Sequence, residues 1–231
     1  MLTKPNITDW LQGIGTVIAV ITAFFFFFWE RLRSWLSRPI LDVEINFKPP
    51  HCHYIPSIVK DANGLHRIFD AFWFRLTVKN KGKTVAQNLE VLIHNIEKKM
   101  DNSWLQLSEF LPSNLSWTHI ANQYLPMLLP KTEKDVDLGH IIDPVVRSNV
   151  PDEQNPKLNI SDVQTVFYFE LTIRPTSRYQ IIAPGEYRFA ITVGAQNCSP
   201  ITRKFYLRLL GDWNNEESVM LSQGIKIILL R

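Results

Sequence analysis

The side chains best suited to chemistry in this 231-residue chain stand together at His51-Cys52-His53. Imidazole and thiolate are zinc's preferred ligands, so these three form the candidate metal site. Adjacent residues of an extended segment point to opposite sides, however, and at most two of the three can meet one ion. His66, His94, His119, His140 or Cys198 would have to complete the shell through the fold. A polar loop that happens to carry histidines is the plainer reading, and a metal-dependent enzyme the remoter one.

Gly82-Lys83-Thr84 invites comparison with the end of a phosphate loop. That loop needs a glycine five residues earlier, where Thr77 stands, and a helix start whose N–H groups hold the phosphate. Here an alternating apolar run follows instead, which predicts a hairpin turn. No Ser/His/Asp spacing, HExxH pattern or close carboxylate pair stands out. No catalytic residue is assigned and no cofactor is expected. Trp213 lies in the polar run Gly211-Asp212-Trp213-Asn214-Asn215-Glu216-Glu217. It is expected to pack beneath the last turn, the alternative being an exposed contact for a partner protein. Asn6, Asn114, Asn159 and Asn197 each open an Asn-x-Ser/Thr triplet, which matters only for a chain exposed to a glycosylating compartment.

The elements that must position these residues begin with an anchor. Trp10 to Trp29, WLQGIGTVIAVITAFFFFFW, carries no charge, and a helix of that length is roughly 30 Å long, the thickness of a bilayer's hydrocarbon core. Trp10 and Trp29 suit the two headgroup levels. Only Lys4 precedes the run, which closes on five phenylalanines and Trp29 without a small-residue cleavage site, so a cleaved signal peptide is not expected. Arg31, Arg33 and Arg38 after the run outweigh Lys4 before it, which predicts a single-pass protein of the inner (cytoplasmic) membrane with its C-terminal domain in the cytoplasm. Gly15, Ala19 and Ala23 share one helix face, a spacing that would let two copies associate in the lipid bilayer. The expected divisions are a short tail over 1–9, a transmembrane helix over 10–29, a juxtamembrane helical neck over 30–39 and a β-sandwich domain over 40–231.

The domain is read from its alternation. Leu41, Val43, Ile45 and Phe47 alternate with Asp42, Glu44, Asn46 and Lys48, the pattern of a half-buried strand. A polar loop with Pro49, Pro50, Pro56 and a turn at Asn63-Gly64 is expected next. Phe74, Leu76 and Val78 predict a strand, Asn80-Lys81-Gly82-Lys83 a turn, and Leu89, Val91 and Ile93 the return strand. Short strands and packed loops are expected over 100–130, a short strand around Val136, Leu138 and Ile141, and a long loop over 143–162. Phe167 to Ile173, Tyr187 to Val193, Phe205 to Leu209 and Ile225 to Leu229 supply four more strands. Pro184-Gly185 predicts a turn before the second of these. About eight strands make the domain all-β, a two-sheet sandwich in preference to a small barrel.

The formal net charge is +3, but removing the four basic and two acidic residues of 1–38 leaves 21 basic against 20 acidic. So balanced a domain makes no strong field, and nucleic acid is not an expected partner. Two cysteines are too few for a disulfide framework, which suits a reducing compartment.

FRLTVKNKGKTVAQNLEV resembles the strand–turn–strand of bacterial immunoglobulin-like modules, in which an Asn-x-Gly turn precedes a small residue. PGEYRFAITVGAQN and GDWNNEESVML resemble the C-terminal half of bacterial single-pass membrane-anchored proteins, and the likeness covers roughly residues 70–230. It implies an immunoglobulin-like sandwich and a membrane anchor, and brings no activity with it. The expected function is a membrane-anchored binding or interaction module for another protein or a small ligand. An extracytoplasmic envelope or adhesion domain is the alternative, and it needs the reverse topology.

Overall fold

Alternation of apolar and polar residues from Leu41 onward produces strands, while the unbroken apolar run before it produces one helix. The computed structural model describes residues 7–60, 64–120, 122–147, 150, 154–155, 157–158, 160–161 and 163–230. These fall into two units, Met1–Arg38 and Pro39–Arg231. The first is helix α1 (Ile7–Ser37), within which Trp10–Trp29 is long and apolar enough to cross a membrane. Its hydroxyls turn inward on the backbone: Thr16 donates to the Gln12 carbonyl at 2.9 Å and Thr22 to Ile18 at 2.8 Å. Polar groups in an apolar surround are satisfied in this way. α1 continues without a break through 30–37 and stops short of Pro39, because the residue before a proline is steered away from helix.

The second unit is a sandwich. Its strands are β1 (Leu41–Ile45), β2 (Cys52–Lys60), β3 (His66–Asn80), β4 (Ala86–Met100), β5 (Ser103–Gln106), β6 (Ser113–Asn114), β7 (Ser116–Trp117) and β8 (Leu125–Leu128). Then come β9 (Glu133–Ile142), the helical turn α2 (Pro144–Arg147), β10 (Phe167–Phe169), β11 (Ile181–Ile182), β12 (Gly185–Ala195), β13 (Cys198–Leu209), the turn α3 (Glu217–Val219) and β14 (Ile225–Leu230). The first sheet has the order β1-β3-β9-β10-β11, with β2 also on β3 and β7 on β9. The second runs β14-β13-β12-β4-β5, with β6 and β8 also on β4. Every pairing is antiparallel.

The core lies between the sheets. Phe74, Phe167, Phe169, Phe189 and Phe205 form a chain of ring contacts from one sheet to the other, with centroids 4.9–5.7 Å apart. Such pairs add about 0.5–1.5 kcal/mol each beyond their buried area. Gly139 of β9 is needed beneath them. A Cβ there would sit 2.6 Å from the Phe167 ring and against the Tyr168 carbonyl.

Three local expectations change. The polar loop expected after β1 contains β2, since Tyr54, Ile55, Ile58 and Val59 pair with β3 across Pro56. Proline is tolerated there because β2 is an edge strand. The strand expected over Phe167–Ile173 ends at Phe169; Leu171 makes a single bridge to Leu115, and Ile173 is 79% exposed. The turn at Asn80–Lys83 is no hairpin, because β3 and β4 belong to different sheets and 81–85 crosses between them. Buried Asn80 organises that crossing. Its Oδ1 accepts from Gly82 N–H at 3.0 Å, and its Nδ2 donates to the Thr84 and Leu128 carbonyls at 2.8 and 3.1 Å. Asn63 of the expected Asn63-Gly64 turn and much of the 143–162 loop lie outside the described residues, although Gly64 has the positive φ, 77°, of a turn.

Candidate functional site

β4 carries the site because its register against β12 slips once. Val91 and Ile93 point into the core, and regular alternation would place Asn95 and Glu97 there next. Asn95 instead takes a φ of 53°, and the pairing with β12 jumps from Ala190–His94 to Arg188–Glu97. This is a β-bulge, two residues facing one, and it returns Ile96 and then Lys98 to the inward row. Lys98 therefore lies opposite Tyr187, on the core face but past the end of the core. Its Nζ stands 5.8 Å from the Tyr187 ring centre. Leu41 pairs with Asn80 where the chain comes into the domain, so Lys98, twelve residues along β4 from Ala86, is at the other end, roughly 40 Å away.

A cleft of about 280 Å³ opens there between the ends of β4 and β5 and the first sheet's β11. Its apolar floor comes from Leu107, Phe110, Ile181 and Ile182, with Tyr179 and Tyr187 as walls. Phe110 is wedged between Tyr179 and Phe169, centroids 4.9 and 6.2 Å away. The Tyr179 hydroxyl lies 3.1 Å from Ser113 Oγ. Tyr187 donates its hydroxyl to the Ala183 carbonyl at 2.8 Å, and burial pushes its pKa up, so it is a neutral wall. At the mouth Asn155 donates from Nδ2 to the Arg178 carbonyl and accepts from Lys157 N–H, which sets the turn carrying Lys157. Lys157 Nζ pairs with Glu109 at 2.9 Å, both side chains more than half exposed. Lys98 has no carboxylate within ion-pair distance among the described residues. Among the described residues the cleft is thus apolar with one uncompensated cation.

No family model, curated protein or solved structure matches this chain.

The sequence-predicted residues lie elsewhere. His51 Nδ1 sits 3.2 Å from Thr77 Oγ1 and 3.3 Å from Asp135 Oδ1, outside the first sheet. His53 pairs with Trp73 in register, and burial chiefly, with the Arg75 charge, lowers its pKa. Cys52 points the other way, fully buried in the core, and its thiol is pushed up to about 12 by burial. The three do not converge, and no group of three His, Cys, Asp or Glu side chains placed to hold a metal occurs among the described residues. His94 contacts Thr192 and His119 is exposed.

Trp213 is half-buried against Phe72, centroids 5.2 Å apart, and donates from Nε1 to Asn215 Oδ1 at 2.6 Å. It packs on the core as expected, and one edge reaches solvent. On α1, Trp10 and Trp29 end the apolar run, Trp29 stacks on Phe25 at 5.5 Å, and Arg31 and Arg33 follow, exposed. Gly15, Ala19 and Ala23 are all exposed on the helix surface. Asn114 lies in β6, Asn197 binds the Val85 carbonyl and the Gln87 N–H, and Asn6 and Asn159 lie outside the described residues.

Sequence reasoning missed Lys98 because period-two counting assigns it to the solvent face. The available signal was Asn95, since asparagine tolerates positive φ better than any other residue of an apolar strand but glycine.

Proposed function

We propose that this chain is a single-pass, membrane-anchored binding module, with α1 as anchor and an immunoglobulin-like sandwich on the cytoplasmic side of an inner membrane. The cleft carries the reading. Concave, mostly apolar sites with a few polar groups are where small ligands bind, and this one lies at the end of the domain away from Pro39. The immunoglobulin-like assignment is supported by β1-β3-β9-β7 facing β4-β12-β13, and by Tyr187 bonding to backbone four residues upstream at the start of β12. The basic residues after Trp29 support the orientation, and Gly15, Ala19 and Ala23 support self-association through the anchor.

The test is a fragment screen by saturation-transfer NMR on the full chain in lipid nanodiscs. Fragments that bind wild type and lose their signal when Ser108→Trp fills the cleft mouth are the expected result. Ser108 is exposed, so the fold tolerates the change. A screen without any such fragment overturns the cleft as a ligand site. For orientation, an impermeant maleimide should label the exposed position of Ser177→Cys, in a Cys198→Ser background, only after cells are permeabilised. Labelling of intact cells would overturn the cytoplasmic placement in favour of an envelope domain.

A further inference from the structure

We propose that the cleft's ligand is a small carboxylate with an apolar body, its acid group held by Lys98. The inference rests on the cleft being a ligand site and goes on to name the chemistry it takes.

Charge comes first. Lys157 is neutralised by Glu109 at 2.9 Å, so the ionic groups among the described residues of the cleft leave one positive charge, that of Lys98. One charge matches a carboxylate. A phosphate monoester carries nearly two negative charges and is usually met by several donors or an arginine fork, and no arginine is among the described residues that line this cleft. Position comes second. The bulge at Asn95 places the ammonium on the inward row, against Tyr187, where low-dielectric walls strengthen its attraction for an anion. A lysine on an outward row would be screened by water. Lys98 also packs closely over Gly185, where a Cβ would lie 3.3 Å from Lys98 Cε, so the chain is guided along the cleft wall.

Shape comes third. Phe110, Tyr179 and Tyr187 offer ring faces and edges, and Leu107, Ile181 and Ile182 add aliphatic lining, which suit one ring or a short alkyl chain. About 280 Å³ is at or below the lower bound for drug-sized ligands, so a larger body would not be enclosed.

The experiment titrates 4-phenylbutyrate and its neutral isostere 4-phenylbutyramide into the full chain in nanodiscs, following the ligand by saturation-transfer NMR. Wild type, Lys98→Gln and Ser108→Trp are compared, so that partitioning into lipid is common to all three. The expected result is that wild type prefers the carboxylate to the amide, and that Lys98→Gln weakens the carboxylate about tenfold or more while leaving the amide unchanged. Equal binding of the two probes, unaltered by Lys98→Gln, overturns the carboxylate inference and leaves the cleft as an apolar site. Absence of both probes from wild type while other fragments bind also overturns this inference alone. Absence of every fragment overturns the cleft reading beneath it. A carboxylate signal that survives Ser108→Trp places the anion outside the cleft and overturns the proposal.

Discussion

The imidazole of His140 lies flat against the indole of Trp73, ring centroids 4.8 Å apart and planes 29° from parallel. Tyr168 stacks on the same imidazole at 4.9 Å, and Arg174 lies 5.6 Å over the Tyr168 ring. Four side chains from β3, β9, β10 and the following loop thus form one stack on the outer side of the first sheet. His140 Nδ1 meets Glu170 Oε1 at 2.9 Å, with both side chains largely buried.

That pair predicts an acid-sensitive stability. Burial alone would raise the Glu170 carboxyl, but the contact with His140 and the charges of His140 and Arg174 outweigh it and hold the carboxyl below its ordinary value. A depressed carboxylate stabilises the fold above the unfolded pKa of about 4.3, and that contribution is lost as pH falls through the lower folded value. Glu170→Gln is therefore expected to cost about 2 kcal/mol at pH 7, roughly 4–8 °C in thermal midpoint. The gap from wild type should close as the pH drops below 4. Calorimetry from pH 3 to 7 checks it, and a gap independent of pH would contradict the assignment.

Asn80 is expected to be worth more than its size. Its side chain serves Gly82, Thr84 and Leu128 at once, and is 1% exposed. Asn80→Ala leaves buried backbone groups without partners and should cost about 3 kcal/mol, or roughly 6–12 °C. Asn80→Asp keeps the acceptor for Gly82 but loses both donors, and should fall between. A midpoint within 2 °C of wild type for the alanine variant would show that the crossing does not depend on it.

Cys52 should be nearly inert to thiol reagents in the folded chain. With a pKa raised to about 12 by burial, only about one molecule in ten thousand is thiolate at pH 8, and the sulfur has no exposed surface. Cys198, half-buried in β13, should react first. Mass spectrometry after iodoacetamide, with and without denaturant, checks the order. Rapid native labelling of Cys52 would mean that β2 opens from the sheet.

By itself the sequence determined an apolar helix of bilayer length, the class of fold and most of the inward rows. An uncharged apolar run of twenty residues forms one helix of bilayer length, and strict alternation admits only a strand with one buried face. Phe74, Leu76, Val78, Phe189 and Phe205 were legible as core for that reason, and they are buried. Alternation is a local property, however, and says nothing of which strand lies beside which. FRLTVKNKGKTVAQNLEV reads the same whether its turn closes a hairpin or crosses between sheets. Tertiary structure decided for the crossing, because Asn80 finds the carbonyls it needs on Thr84 and Leu128. The same limit hid the cleft. One bulge at Asn95 reverses the parity of every residue after it and carries Lys98 from the solvent row to the inner one. A bulge is set by how two neighbouring strands match in length and twist, and that match exists only once β4 and β12 lie side by side.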